Sequence, residues 1–533
     1  MDEAMVSSPF PAGQAAASGT RGGGEAATAT WQLDLPNEAA TQRLAEVLCE
    51  ELKAGDLVTL SGDLGAGKTT FARSLIRTLA GDAGLEVPSP TFTLMQLYDT
   101  ACPPVVHADF YRLGGADELT DLGWEEACEG ALVLVEWPQK AEEALSPDRL
   151  DIAFHLLPHE HPGRRRIVMT GYGRFAPRLF RLRAIRTLLD AAGWGDAERR
   201  HIQGDASYRE YERLIRPDGA TAVLMISPPR PPGPVLRGIK PYPIAAKLAL
   251  TVHPFVAVDK GLRALGFSAP DIYAADLDTG LLLLEDLGSE PVIADGSPIP
   301  ERYREATLLL AKLHGTTLPD VLPVADGIDH VIPPYDLEAL LTEVELIIDW
   351  YAPHIGGKAL SAVARAQFNT LWTRLLADVV TAPSTWTLRD FHSPNLIWLP
   401  ERQGLARLGL LDFQDAVLGH PAYDLAALLQ DARITVPAEL ELSLLGAYAR
   451  ARQGQDPDFD VGGFAAAYAV LAAQRGTKLF GTFARLAKRD GKSIYLNHLP
   501  RLRTYLVRNL AHPVLSGLRL WYETHLPALV ADT

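Results

Sequence analysis

The segment GDLGAGKT at residues 62–69 constrains the fold more than any other stretch of the sequence. It matches the pattern G-x-x-x-x-G-K-[ST], and it lies between a β-rich segment, GDLVTLSG, and an amphipathic segment, TTFARSLIRTLAG. Glycines in such a turn let backbone N–H groups converge on phosphate oxygens, and the following helix adds its positive N-terminal end. The pattern therefore predicts a strand–loop–helix unit of an α/β domain that binds a nucleotide.

The loop predicts a role for each of its polar positions. Lys68 is expected to reach the β- and γ-phosphate oxygens of ATP, and the hydroxyl of Thr69 is expected to ligate Mg²⁺. The full set of expected nucleotide-binding residues in the loop is Gly62, Gly65, Gly67, Lys68, Thr69 and Thr70.

Length and composition limit the class of protein. A chain of 533 residues is too long for a single core, and 47% apolar with 22% charged residues is ordinary for a globular protein. The net charge of −16 disfavours direct, nonspecific binding to nucleic acid. No apolar run is long enough to predict a membrane span, so no membrane partner is expected. The few cysteines (Cys49, Cys102 and Cys128) lack CxxC spacing, which disfavours disulfide or zinc sites and suits the cytoplasm.

Changes in composition predict three segments. Residues 1–28 are rich in Ala, Gly and Ser and predict a disordered tail, residues 29–175 form the nucleotide-binding domain, and residues 176–533 form a second domain that begins with a linker helix. Many arginines lie around that boundary: Arg164, Arg165, Arg166, Arg174, Arg178, Arg181, Arg183 and Arg186. Two interpretations stay open for them, a strand end with a solvated helix face, or a basic contact surface for RNA or a partner protein.

Three further motifs follow the phosphate loop in order: SPTFTL (residues 89–94), HADFYRL (107–113) and LVEWP (134–138). Together with GDLGAGKTT they closely resemble the TsaE family over residues 31–173. That family is the small ATPase subunit of the bacterial machinery that makes threonylcarbamoyladenosine beside the tRNA anticodon. The resemblance implies a P-loop NTPase domain with a mostly parallel sheet.

The resemblance also implies roles for individual residues. Glu136 would serve Mg²⁺ or the attacking water, Asp109 would be a second catalytic carboxylate, and Trp137 would lie beside the nucleotide. Ser89, Pro90 and Thr91 would form a switch-like loop. Without the family, a strand-end carboxylate and a core aromatic are equally good interpretations of Asp109 and Trp137. The implied partners are the transferase subunit and its inactive paralogue, with tRNA contacted only indirectly.

A second set of polar residues lies in TLRDFHSPNLIWL (387–399) and LGLLDFQDAVLGHPAYDLAALLQD (408–431). Asp390 could accept the proton of an attacking hydroxyl, while Asn395 and Asp412 could hold Mg²⁺ against the phosphates of ATP. This spacing is typical of a kinase whose acceptor is a hydroxyl group.

Neighbouring segments strengthen this interpretation: GLLLLEDLG (280–288), LLLAKLHG (308–315) and GDASYREYERL (204–214). The second domain resembles the aminoglycoside phosphotransferase/choline-kinase superfamily, nearest the kinases of N-acetylmuramate and N-acetylglucosamine that act at the anomeric hydroxyl. The resemblance implies a two-lobed α+β, protein-kinase-like fold and a small-molecule acceptor. Within it, Asp424 would tie down the catalytic loop, and His392 would touch phosphate or orient Asp390.

One position departs from the kinase pattern. The strand TAVLMISPP (221–229) offers Met225 where most kinases carry a phosphate-binding lysine. Lys240 and Lys247 lie outside that strand, and either Arg209 or Arg213 could substitute. The missing lysine supports one alternative, a non-catalytic nucleotide-binding or docking module that regulates the ATPase half. A separate alternative treats the entire chain as one kinase with an embedded P-loop accessory.

Overall fold

The computed structural model describes residues 28–157, 163–202, 208–236 and 240–531. The predicted tail lies outside the described residues except for Thr28, which already pairs with Tyr172 in a strand. The chain divides into two compact units. The first runs to Glu198 and includes Arg216–Gly219, and the second comprises Arg199–Ile215 and the chain from Ala220 onward.

The first unit is a sheet covered by helices. Its elements are β1 (Thr28–Leu35), α1 (Glu38–Cys49), β2 (Leu57–Gly62), α2 (Lys68–Ala80), β3 (Met95–Tyr98), β4 (Val105–Asp109), α3 (Asp117–Asp121), α4 (Trp124–Cys128), β5 (Leu132–Glu136), β6 (Leu150–Leu156), β7 (Arg165–Tyr172) and α5 (Phe175–Ala191). The strand order is β1-β7-β6-β2-β5-β4-β3. The four central strands β6, β2, β5 and β4 are parallel, and the outer strands pair antiparallel.

The parallel strands position the first site. β4 and β5 are buried along their whole length and pair in register, so that Asp109 lies opposite Glu136 at their carboxyl ends. β2 pairs with β5 on its other side, and its own end leads into the phosphate loop. Ligands of open parallel sheets bind at this edge, and the predicted residues meet there.

Helix α5 differs from the sequence expectation. The sequence places a linker helix at the start of the second domain, but α5 packs on β1 and β7 in the first unit, and its Phe175 and Leu179 join the core of that unit. Arginines of this segment form ion pairs within the same unit, as between Arg178 and Asp56 at 2.9 Å. This pairing favours the strand-end and helix-face interpretation of the arginine-rich segment.

The second unit contains a small sheet followed by helices. Its elements are β8 (Glu198–Ile202), β9 (Glu210–Ile215), β10 (Thr221–Ile226), β11 (Val235–Leu236), β12 (Lys240–Pro241), α6 (Tyr242–Ala245), α7 (His253–Ala264), β13 (Ile272–Asp276), β14 (Leu281–Glu285), β15 (Ile293–Ala294), β16 (Ser297–Pro298), α8 (Pro300–His314), β17 (Val321–Ala325), β18 (Ile328–Val331), α9 (Leu337–Val344), α10 (Ala352–His354), α11 (Ala362–Thr381), β19 (Thr385–Thr387), β20 (Leu396–Trp398), β21 (Leu408–Leu410), β22 (Val417–Gly419), α12 (Ala422–Leu429), α13 (Ala438–Gln455), α14 (Val461–Arg489), α15 (Leu499–Leu510) and α16 (Ser516–His525).

This arrangement confirms the predicted fold class of the second half. Five strands in the order β13-β14-β10-β9-β8, with β13, β14, β10 and β9 antiparallel, form one lobe, and the helices from α8 onward form most of the other. The short pairs β19–β22 and β20–β21 flank the segment that carries Asp390 and Asn395. In the part of the chain that the structure describes, no helix has the length and apolar character needed to cross a membrane.

Candidate active sites

The phosphate loop has the backbone that its sequence predicts. Gly62, Gly65 and Gly67 all have positive φ, at 133°, 74° and 110°, a conformation that glycine adopts without strain. A Cβ on Gly62 would also lie 2.4 Å from the carbonyl oxygen of Phe154, so no side chain fits there. Helix α2 begins at Lys68, and no described side chain caps its N-terminus. The first backbone N–H groups, including that of Thr70, are thus available to a phosphate.

Lys68 lies inside the loop and is buried. Its Nζ donates to the carbonyl oxygens of Gly62 and Asp63 at 2.8 and 3.0 Å, and lies 4.0 Å from the ring centre of Trp137. Burial lowers the pKa of Lys68, while the nearby Glu136 and other carboxylates oppose that shift. Trp137 follows β5 directly and has a left-handed backbone conformation, with φ at 59°. This conformation turns its ring toward Lys68. The structure therefore brings Trp137 to the phosphate loop.

Glu136 is held by two side chains. One carboxylate oxygen accepts a hydrogen bond from Thr69 Oγ1 at 2.9 Å, and the other lies 3.0 Å from Nε2 of His107. His107 is fully buried on β4, and its Nδ1 has no hydrogen-bond partner among the described residues. No role was predicted for His107. Its place as a polar residue within an otherwise apolar, buried strand could have indicated one, because a buried polar group needs a hydrogen-bond partner.

Asp109 is bound to the loop that the sequence identifies as switch-like. Its Oδ2 accepts hydrogen bonds from Ser89 Oγ at 2.6 Å and Thr91 Oγ1 at 2.8 Å, and its Oδ1 accepts from the backbone N–H of Tyr111 at 2.9 Å. With its hydrogen bonds made in this way, Asp109 fixes the loop of residues 89–91 beside the carboxyl ends of the strands. The role of Asp109 as a second catalytic carboxylate stays a prediction.

In the second unit, Asp424 holds the backbone that leads to Asp390. It is fully buried at the start of α12, and its carboxylate accepts hydrogen bonds from the N–H groups of Leu388 and Arg389 at 2.7 and 2.8 Å. Because Asp390 follows Arg389 directly, the placement of its carboxylate depends on this contact. The geometry matches the structural role predicted for Asp424.

Asn395 and Asp412 lie next to each other. Asn395 Nδ2 donates to the carbonyl oxygen of Asp390 at 2.9 Å, and the Asn395 carbonyl accepts from the N–H of Leu411, the residue before Asp412. Asp412 has φ 58°, and its carboxylate forms an ion pair with Arg209. The structure thus brings together the three residues predicted for the kinase site, with an arginine added.

The structure distinguishes the candidates for the missing lysine. Met225 is buried on β10, Lys240 pairs with Glu338 and Lys247 with Asp336. Arg213 pairs with Asp286 after β14, at 2.8 Å. Of the two predicted substitutes, Arg209 is the one that reaches the residue expected to hold the metal. Burial works against the charge of Arg209, but Asp412 and other anions raise its pKa, so it stays protonated.

A buried ionic cluster supports the catalytic loop from behind. Arg389 has φ 68° and forms an ion pair with Glu343 of α9, whose carboxylate also lies 2.7 Å from Nζ of Lys478 on α14. Burial alone would raise the pKa of Glu343, but Lys478 and Arg389 outweigh it and hold the pKa low. Sequence reasoning missed Glu343 and Lys478, because nothing local marks two charges far apart in the chain as partners.

His392 is buried beside Asp390. Its Nε2 lies 3.3 Å from the guanidinium of Arg433, and its Nδ1 has no partner among the described residues. Burial and Arg433 lower the pKa of His392, against the effects of Asp431 and Asp390. For Asp390, burial would raise the pKa, but the charges around it, led by His392 and Lys478, lower it and keep the carboxylate ionised. An ionised Asp390 is the form that can accept a proton.

Comparisons with known proteins match both halves of the chain. A family model described as "Threonylcarbamoyl adenosine biosynthesis protein TsaE" matches residues 35–167, and one described as "Phosphotransferase enzyme family" matches residues 198–462. The TsaE protein of Rickettsia felis is 42% identical over 125 residues, which cover 24% of this chain and 72% of that protein. The N-acetylmuramate/N-acetylglucosamine kinase of Caulobacter vibrioides is 40% identical over 351 residues, which cover 64% of this chain and 95% of that kinase.

The chain belongs to both families. It is a fusion of a TsaE-family ATPase domain and a phosphotransferase-family domain of the N-acetylmuramate/N-acetylglucosamine kinase type, and it is an ATP-dependent enzyme. The corresponding kinase of Neisseria meningitidis is 31% identical over 309 residues, covering 57% of this chain and 83% of that protein. Both resemblances expected from the sequence are confirmed.

Proposed function

We propose that the TsaE-family domain hydrolyses MgATP to reset the complex that makes threonylcarbamoyladenosine in tRNA. Its partners would be the transferase subunit and the inactive paralogue of that subunit, and tRNA would be contacted only through them. The observation that carries this proposal is the hydrogen bond between Thr69 and Glu136, at 2.9 Å, at the N-terminus of the phosphate-binding helix. A hydroxyl and a carboxylate so close together beside the phosphate loop are the oxygen ligands that Mg²⁺ takes, which supports the proposal.

The donor set at each site fits Mg²⁺. Thr69 and Glu136 offer oxygens in the first unit, and Asn395 and Asp412 offer an amide and a carboxylate oxygen in the second. When bound, Mg²⁺ neutralises phosphate charge and orients the phosphoryl group. The protein's own contribution is to hold Lys68 against the phosphates in the first site, and to hold Asp390 as the proton acceptor in the second.

A cellular test suits the first half. The chain should restore threonylcarbamoyladenosine in bacteria that lack their own small ATPase, and Lys68→Ala should abolish the rescue because the phosphate contact is lost. Lys53→Ala is the matched control, since Lys53 is exposed in the same domain. Failure of the unmodified chain to restore the nucleoside at normal expression would overturn the proposal.

We propose further that the second domain phosphorylates the anomeric hydroxyl of an amino sugar. Asp390 would accept the hydroxyl proton, and the oxygen would then attack the γ-phosphorus of ATP, releasing ADP and a sugar 1-phosphate. Two sets of hydrogen bonds support this proposal. The Asp424 carboxylate binds the backbone just before Asp390, and the Asn395 side chain and carbonyl bind the backbone of Asp390 and of the residue before Asp412. In most kinases a strand lysine supplies positive charge at the phosphates, and Arg209 would supply that charge here.

The test is an acceptor screen with ATP, Mg²⁺ and a panel of amino sugars, with ADP release and acid-labile sugar phosphate as readouts. Asp390→Asn should abolish both signals, whereas Asp458→Asn, an exposed position of the same unit, should change neither. No Asp390-dependent ADP release across the panel would favour the alternative of a non-catalytic regulatory module. The presence of Asp390, Asn395 and Asp412 together speaks against that alternative.

A further inference from the structure

One face of α14 carries basic side chains beside the catalytic loop. Lys478 contacts Glu343, and the guanidinium of Arg485 lies over the ring of Tyr242 of α6, 4.6 Å from its centre. The two basic residues are seven positions apart on one helix, so they project from the same face at a separation of about 10 Å along the axis. This face extends from the catalytic loop toward the short helix α6.

Apart from the ring of Tyr242, Arg485 has no ion-pair partner among the described residues. Its Nε is buried without a hydrogen-bond partner, and within the described ranges no carboxylate lies at ion-pair distance from it. The acid nearest along the helix, Asp490, is taken by Arg489 at 2.7 Å. Three residues before Arg485, the hydroxyl of Thr482 is also buried without a partner. Buried polar groups without partners are costly, so a ligand that accepts hydrogen bonds would complete this geometry.

The start of the same face is connected to the proton acceptor. Lys478 and Arg389 both contact the carboxylate of Glu343, and Arg389 is the residue directly before Asp390. Asp390 and Asp415 also act electrostatically on these two cations, so Lys478 and Arg389 are balanced, and Arg485 carries the remaining positive charge of this face. An acceptor whose hydroxyl lies at Asp390 would extend along this positive face.

We propose that Arg485, with Thr482, binds the carboxylate of an anionic amino-sugar acceptor and selects N-acetylmuramate over N-acetylglucosamine. The inference rests on the proposed kinase function and adds its acceptor specificity. The two sugars differ in the lactyl ether on O3, which carries the only carboxylate of the pair. A guanidinium binds a carboxylate through charge-assisted hydrogen bonds, which are stronger than bonds between neutral groups.

The experiment compares kcat/KM for the two sugars with the full chain and with Arg485→Gln. The variant should lose roughly 10- to 100-fold on N-acetylmuramate, as expected when a charge-assisted hydrogen bond is removed, and less than about threefold on N-acetylglucosamine. Arg485→Lys should recover part of the loss. Lys488→Gln removes the same charge from an exposed position of α14 and should behave like the unmodified chain. Circular dichroism checks that each variant is folded.

Two outcomes would contradict the inference. An equal loss on both sugars would mean that Arg485 does not read the carboxylate, and a raised KM for ATP alone would mean that the anion is a nucleotide phosphate. If the unmodified chain phosphorylates no amino sugar of the panel, the proposed function fails, and calorimetric binding of the two sugars then tests the inference separately. Tighter binding of N-acetylmuramate that is lost in Arg485→Gln would support it, and equal or absent binding would refute it.

Discussion

Replacing Asp424 with asparagine should reduce phosphoryl transfer without removing nucleotide binding. In the structure each carboxylate oxygen accepts one buried backbone N–H, at 2.7 and 2.8 Å. The amide of asparagine keeps one acceptor and turns a donor toward the other N–H group. The change costs one charge-assisted hydrogen bond and leaves one N–H unsatisfied, together about 3 kcal/mol. If the catalytically active conformation of the loop is destabilised by that amount, kcat falls by about 100-fold.

The assay measures kcat, KM for ATP and the urea midpoint of unfolding on the same preparations. We expect kcat to fall and the free energy of unfolding to decrease by no more than about 3 kcal/mol, with KM for ATP nearly unchanged. Asp458→Asn, the exposed control, should leave all three quantities at their original values. A kcat for Asp424→Asn within about twofold of the unmodified chain would refute the view that this contact places Asp390.

Three further predictions follow from single contacts. His107→Gln should slow ATP hydrolysis by about 10-fold with little effect on nucleotide binding, because His107 orients Glu136; an unchanged rate contradicts this role. Arg209→Gln should raise KM for ATP in the sugar-kinase assay, since Arg209 supplies the charge beside Asp412, and an unchanged KM would exclude it as the lysine substitute. Burial, with a smaller effect of His314, lowers the pKa of His420 to about 4. The unfolded chain therefore binds this proton first, so stability falls as pH drops from about 6.5 toward 4, by up to about 3 kcal/mol. His420→Asn should flatten that part of the acid-unfolding curve, and an identical curve would contradict the shift.

Local patterns predicted the shape of both loops, because a short backbone segment determines that shape. The phosphate loop runs from Gly62 to Thr70, and the catalytic loop from Asp390 to Asn395, so spacing alone defines their geometry. The fold class followed from the same segments. In the same way, the D-F-Q stretch beginning at Asp412 marked a strand end.

Other features depend on packing between distant segments and could not be predicted. Glu343 and Lys478 meet only because α9 and α14 pack together, and their partner Arg389 comes from a third segment. Helix α5 was expected in the second domain, since its arginine-rich sequence does not indicate which sheet its apolar face covers. Its apolar residues pack instead on β1 and β7.

The central claim is that one chain carries two separate ATP-dependent sites. It is tested most directly by measuring both activities in Lys68→Ala and Asp390→Asn versions of the full chain. The account predicts that Lys68→Ala loses rescue of threonylcarbamoyladenosine but keeps sugar phosphorylation within about twofold, and that Asp390→Asn does the reverse. Loss of both activities in either folded variant would contradict it.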